Sequence, residues 1–382
     1  MDKPIRKIIL APDSFKGTLS AAQVCGLLKA VVLKYFPECE VKTFPMSDGG
    51  EGFLDAMLLA AGGKKTRIRV TGPLGSEIDA DYGVLADGRV VIEMAAASGL
   101  TLLGEHNRDA FNATSYGTGQ LMRQALLQGH RDLIIGLGGS ATVDGGAGGA
   151  AALGVSYRDT KDNEIRSGAG LISLTHIDLT QMEPGLRDAK ITFAVDVTNP
   201  LYGENGAARI FGPQKGASPD QVFLLDRGLE NLGRLLEKRT GLDLQKLPGS
   251  GAAGGLASPF VAFAGAKIES GIQMVMDAYH LDAELENCDL VITGEGCTDA
   301  QSVMGKVLSG IGNRGLSRKV PVIAISGMIA DGYQAVYGQG ISAVFSTVRS
   351  ADDLIDISEN VEARLQSTAE DVLRLIKDLW GK

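Results

Sequence analysis

The sequence predicts an α/β protein: a doubly wound parallel sheet, interrupted by an inserted mixed α/β domain. Three observations carry this. Five short apolar runs, at residues 7–11, 41–44, 290–293, 320–325 and 343–345, have the length and composition of buried strands. At least three of them open directly into loops rich in glycine and carboxylate. A hairpin pattern near residue 80 breaks the strand–helix alternation and has no place in a parallel series.

The first helix follows the first strand. Ser20 and Gln23 have the spacing of a capping box, and Val24, Leu27, Leu28, Val31, Val32 and Tyr35 recur at helical period until Pro37 stops the helix. Residues 53–61 form a second helix, closed by Gly62 and Gly63. Residues 80–86 and 89–94 flank an Asp87-Gly88 turn and read as antiparallel strands, so a domain boundary is expected near residue 70. A helix over 118–128, a strand over 133–137, a Gly/Ala-rich helix from about 145 and a strand over 191–197 follow. A long helix over 219–239 presents Val222, Leu225, Leu229, Leu232 and Leu236 on one face. The strand–helix rhythm returns near 270 and ends in a helix over about 358–379. The simplest assembly is a discontinuous domain, 1–70 plus 270–382, with five parallel strands in the flavodoxin-like order 2-1-3-4-5. Residues 71–269 are the insertion, expected to close over the strand edge of that domain.

Composition narrows the function. The chain has 382 residues, 44% hydrophobic and 22% charged, with 51 glycines gathered in strings. A net charge of −9 without a basic run argues against nucleic acid as a partner. Residues 247–266 lack charge but are mostly Gly and Ala with Pro248 and Pro259, which argues against a membrane span of ~20 apolar residues. Cys25, Cys39, Cys288 and Cys297 form no CxxC pair, as expected of free thiols in a cytoplasmic protein. The N-terminus enters a strand directly, with no signal-type segment. The four histidines show no metal-ligand spacing.

Four loops carry candidate chemistry. Asp13, Ser14, Phe15 and Lys16 follow the first strand; Ser47, Asp48 and Glu51 follow the second. Gly294, Glu295, Gly296, Cys297 and Asp299 follow the third, with Lys306 beyond them. In a 2-1-3 arrangement the first and third loops meet at the switch point, where ligands bind. Glycine admits backbone amides to an anion, lysine neutralises phosphate, and one or two carboxylates suffice for Mg²⁺. A lone strand-end aspartate is more often a helix cap. Three such loops on one edge favour a site. The fourth loop runs from Gly138, Gly139 and Ser140 to Asp144 and a helix start, an anion-site pattern that is neither a Walker loop nor a dinucleotide fingerprint. Its alternative reading is a tight packing turn. Asp196 at a strand end, Asn199, Arg209 and Lys215 complete the set; standing alone, Arg209 and Lys215 would read as surface charge.

Through these loops and the segments around them, the chain resembles the class I bacterial glycerate kinases almost end to end. The blocks that carry the likeness are APDSFKGTLSA, SDGGEG, TGPLG, IEMAAASGL, TSYGTGQL, GLGGSATVDGGAG, DVTNPLYGENGAARIFGPQKGA, PGSGAAGGL and TGEGCTDAQSVMGK. The resemblance implies ATP- and Mg²⁺-dependent phosphorylation of D-glycerate to 2-phosphoglycerate, with 3-phosphoglycerate open, in a cleft between two domains. On that expectation Asp196, then Asp48, accepts the hydroxyl proton, and Lys16 and Lys215 neutralise phosphate. Arg209, Lys215, Asn199 and Ser14 bind substrate; Gly138, Gly139, Ser140, Gly294, Gly296 and Lys306 bind phosphate. Asp13, Glu51 and Asp299 hold the metal. The family usually has Arg at the position of Cys297 and often Asn or Thr at that of Val143; if that arginine contacts phosphate, another cation, Lys306 or Arg314, would replace it. The competing readings are a flavin or nicotinamide enzyme and a non-enzymatic sensor of small acids; the acidic loops favour an enzyme. A monomer or homodimer is expected.

Overall fold

The computed structural model describes residues 5–303, 305–350 and 360–380. The chain divides into two compact units, Met1–Asp48 with Ile272–Lys382, and Gly49–Gly271.

The first unit holds a wholly parallel five-stranded sheet in the order Glu40–Thr43, Lys7–Leu10, Leu290–Thr293, Val322–Ser326, Ile341–Ser346. Numbered along this unit, that order is 2-1-3-4-5, as expected. Lys7–Leu10 is flanked by a strand on each side, and Ile8, Ile9 and Leu10 are fully buried. Ser20 caps the helix Ala21–Tyr35 with the reciprocal Gln23 bond that the sequence predicted. Its apolar stripe, Val24, Leu28, Val31 and Val32, shares one core with Leu365, Ala369, Leu373 and Ile376 of the helix Val361–Trp380. The expected start of that helix at Ser358 lies outside the described residues. Helix Val307–Arg318 packs on Ile272 and Met276, where Gly310 leaves room for them.

The second unit is built on a six-stranded mixed sheet: Lys267–Glu269, Lys190–Ala194, Asp132–Gly136, Val90–Glu93, Glu77–Leu85, Gly63–Thr71. The first four strands are parallel and the last two antiparallel. The hairpin at Gly83↔Val91 is present as predicted. The strand Gly63–Thr71 was not anticipated. It pairs along its whole length with Glu77–Leu85, its charged residues lying on an exposed edge that hides the alternation. The boundary therefore falls at Asp48/Gly49 and not near residue 70. Helix Phe53–Ala61 packs on the strands Glu77–Leu85 and Val90–Glu93, where Gly83 makes way for Leu54.

The helix expected from about residue 145 is only Ala147–Ala152, because Gly145 and Gly146 turn the chain with φ of 61° and 74°. The long helix, Pro219–Thr240, begins in a second capping box at Ser218 and Gln221 and buries Leu225, Leu229, Leu232 and Leu236. Among the described residues, no helix is long and apolar enough to cross a membrane.

Candidate active-site loops and family membership

Each unit gathers its chemistry-bearing loops at the carboxyl ends of its parallel strands, the edge where open α/β sheets bind ligands. In the first unit the loops after Lys7–Leu10 and Leu290–Thr293 are tied together by the Asp13 amide, which donates to the Gly294 carbonyl at 2.8 Å. Gly294 is the only residue type that fits there: a Cβ would lie 1.9 Å from the Ile325 carbonyl oxygen.

Asp13 is 7% exposed. Burial pushes its carboxyl up to about 8, Asp48 and Glu295 push the same way, and the Ser14 amide and Lys16 oppose them. The Ser14 amide donates to Asp13 Oδ1 at 2.6 Å. Ser14 Oγ, buried beside it, has no hydrogen-bond partner among the described residues. A carboxyl crowded by two others next to an orphaned hydroxyl is a set of hard oxygen donors short of a cation, which fits Mg²⁺ held by one or two carboxylates. Glu295 is also buried and lifted by that burial, while Ser302 and Thr298 donate to it and Lys306 steadies it. Thr298 in turn meets Ser326 Oγ at 2.7 Å.

The metal set expected from the sequence is Asp13, Glu51 and Asp299. Among the described residues, no three His, Cys, Asp or Glu side chains are grouped to hold a metal. The carboxyls that act on Asp13 within its unit are Asp48 and Glu295. Asp299 turns its Oδ1 to the Gln301 amide at 2.7 Å and so closes a local turn. Glu51 lies in the second unit and is exposed. Arg314 does not substitute for an arginine at position 297, because its guanidinium is engaged by Asp277 and Asp282. Lys306 is the cation that acts on both Glu295 and Cys297. The Cys297 thiol is pushed up by burial, Asp299 and Glu295, which makes it a poor nucleophile.

In the second unit the loop after Asp132–Gly136 is pressed against Gly49 and Gly50. The Gly138 amide donates to the Gly49 carbonyl at 3.0 Å, and a Cβ on Gly138 would meet Gly50 Cα at 2.2 Å. Gly138 is therefore a packing glycine, and its amide is not free for phosphate. The next two amides differ: among the described residues, neither Gly139 nor Ser140 donates its backbone N–H. The helix start beyond them is not an anion site. Asp144, fully buried, accepts from the Ser115 amide and hydroxyl at 2.7 Å each, from the Gly146 amide at 3.1 Å and from the Gly148 amide at 3.3 Å. Burial holds this carboxyl above its ordinary value against the pull of those donors. The protein supplies its own anion, so for the helix end the packing-turn reading holds.

Lys215 is not surface charge. It is 3% exposed, and its Nζ donates to Ser140 Oγ at 2.7 Å and to the Thr142 carbonyl at 2.8 Å. Arg209 is exposed, and its Nε pairs with the buried Asp226 at 3.0 Å; Asp226 also accepts the Gly203 amide. That pairing engages Nε; the carboxylate clamp expected of Arg209 would use its terminal nitrogens. Asn199 folds back on the Asn205 carbonyl. Asp196 is half-buried just past the strand Lys190–Ala194 and accepts from Ser270 Oγ at 2.8 Å.

Two features escaped sequence reasoning. The 249–255 loop, noted in the sequence only for its lack of charge, braces the neighbouring loops. Gly145 donates to the Gly254 carbonyl, Gly251 to that of Asn199, and Ala253 adopts a left-handed φ of 52° to fit. Glu93, at the end of its strand, accepts the Leu54 amide at 2.7 Å and so caps the helix Phe53–Ala61. The signal was there: an acid closing an apolar strand run.

Burial raises the Glu93 carboxyl from 4.5 to about 7, with Asp55 and Glu51 adding and the Leu54 amide and Lys65 opposing. The group is neutral in both folded and unfolded states below pH 4.5; above that, only the unfolded chain ionises freely. Its contribution is therefore fully present at low pH and lost as pH rises through 7. Relative to Glu93→Gln, which keeps the acceptor oxygen, the wild type should lose on the order of 2–3 kcal/mol between pH 4.5 and 7.5. Denaturant melts of both proteins across that range check this; parallel pH curves would refute it.

Two glycine-lined strand edges, one with crowded carboxylates and one with open amides, define an enzyme that handles phosphate. The particular family follows from comparison. The glycerate kinase family model matches residues 8–377, and the chain belongs to that family, whose members are phosphotransferases with an alcohol group as acceptor. Among its relatives, glycerate 2-kinase of Escherichia coli is 45% identical over 91% of this chain and 92% of its own length. Glycerate kinase of Haemophilus influenzae is 41% identical over 97% and 98%. The crystal structure of a protein described as glycerate kinase 2 from Salmonella typhimurium superposes with a TM-score of 0.83, at 41% identity, over 99% of this chain and all of that one.

Proposed function

We propose that this protein transfers the terminal phosphoryl group of ATP, with Mg²⁺, to the 2-hydroxyl of D-glycerate. The observation that carries the reading is the Asp13 carboxyl, buried and crowded by Asp48 beside the orphaned Ser14 hydroxyl, in a chain of this family. Bound Mg²⁺ supplies charge neutralisation at the phosphate oxygens. Asp13 and Asp48 would hold it, with Ser14 Oγ as a neutral donor oxygen. Lys16, exposed at the loop tip, and Lys306, half-buried at the start of its helix, offset phosphate charge. The open amides of Gly139 and Ser140 are assigned to phosphate oxygens, as are the Gly294 and Gly296 turns. Asp196 accepts the proton of the attacking hydroxyl and is oriented by Ser270. Phosphoryl transfer is mostly positioning and electrostatics, and such loops supply both. The four free cysteines support a cytoplasmic setting.

The test is ³¹P NMR of the product from ATP, Mg²⁺ and D-glycerate. A single new phosphomonoester resonance coincident with authentic 2-phosphoglycerate is expected. Coincidence with 3-phosphoglycerate would overturn the regiochemistry, and ATP left unconsumed would overturn the function.

A further inference from the structure

The contacts of Lys215 go beyond phosphate neutralisation. Its side chain is buried against two neutral acceptors, Ser140 Oγ and the Thr142 carbonyl. Among the described residues no carboxylate lies within ion-pair reach; the charged group acting on it is Asp144, itself engaged by four donors. An ammonium in that place lacks the counter-ion that would offset its desolvation, so the neutral amine is far more accessible than in an exposed lysine. Burial accordingly pushes the amine down to about 7, with Asp144 opposing. A neutral amine can keep its bond to the Thr142 carbonyl and turn its lone pair to the Ser140 O–H. Hydroxyl, base and orienting carbonyl then stand in the order that activates a nucleophile. The flanking N–H groups of Gly139 and Ser140 make no hydrogen bond among the described residues, and Gly139 has the left-handed φ of 71° typical of anion-cradling turns.

We propose that Ser140 and Lys215 form a nucleophilic serine–lysine pair whose substrates are tetrahedral phosphorus centres bearing a good leaving group. The Oγ–P bond forms as the bond from phosphorus to the leaving group breaks. The leaving group departs with that electron pair, and the Ser140 proton passes to Lys215 Nζ. The Gly139 and Ser140 amides take the developing oxyanion. This chemistry does not require glycerate as acceptor.

The test treats the full-length protein with an alkyl fluorophosphonate, fluoride being the leaving group, and reads intact mass and the modified residue. One adduct is expected, on Ser140, forming faster as pH rises through about 7 and then levelling. Ser140→Ala should abolish it. Lys215→Arg, whose guanidinium stays protonated, and Lys215→Met should each slow it by about 10²-fold or more. Circular dichroism shows which variants fold, and the wild-type pH profile stands even if neither lysine variant does. Glycerate phosphorylation is measured on the same preparation. No Ser140 adduct on active enzyme, or labelling that a folded Lys215→Arg leaves within threefold, would overturn the pair while leaving the kinase reading intact. A flat pH profile would overturn it as well.

Discussion

Asp196→Asn is expected to lower kcat for glycerate phosphorylation by about 10²–10⁴-fold while leaving KM for both substrates within a few-fold. The carboxylate lies half-buried just beyond the strand Lys190–Ala194, and the Ser270 hydroxyl fixes one of its oxygens. Asparagine matches it in shape and can still accept from Ser270, but it cannot take a proton. A uniform loss of binding would appear in KM; loss of a base appears in kcat. Steady-state kinetics with a coupled ADP assay separate the two, and a kcat within threefold of wild type would remove Asp196 from that role.

Asp144→Ala should destabilise the second unit severely. It leaves the Ser115 amide and hydroxyl and the Gly146 and Gly148 amides facing a vacancy in a fully buried turn. An unsatisfied buried donor costs ~1–3 kcal/mol, and these share one acceptor, so the sum is less than additive. About 3–4 kcal/mol of lost stability is expected, read as a lower urea midpoint for the second unit's transition. A loss below 1 kcal/mol would mean that the turn is held by the 249–255 loop alone.

Strands were legible where burial on both faces makes an apolar run, as at Ile8, Ile9 and Leu10. Helices were legible where a cap and a stripe coincide, as at Ser20 with Gln23 and Ser218 with Gln221. The strand Gly63–Thr71 was not, because Lys64, Lys65, Arg67 and Arg69 line an edge exposed to water. The loops at Asp13, Gly139 and Glu295 were found because glycine beside an acid at a strand end is a local signal. What those side chains touch is not local. Arg209 and Lys215 looked alike in sequence; one turned out to be an exposed guanidinium paired with a buried aspartate, the other a buried amine with no carboxylate in ion-pair reach among the described residues.

The order of residues by itself determined the buried strands and the capped helices, the strand order of the first sheet, and the family. Those depend on hydrophobic period, caps and long unbroken motifs, all within a few tens of residues. Only the tertiary structure decided that Asp144 satisfies a helix end that had looked ready for phosphate, that Glu93 caps a helix 39 positions away, and that Lys215 rests on Ser140. Partners so distant along the chain are chosen by how the sheets bring strand ends together. Burial then makes each unmatched charge or donor too costly to leave alone.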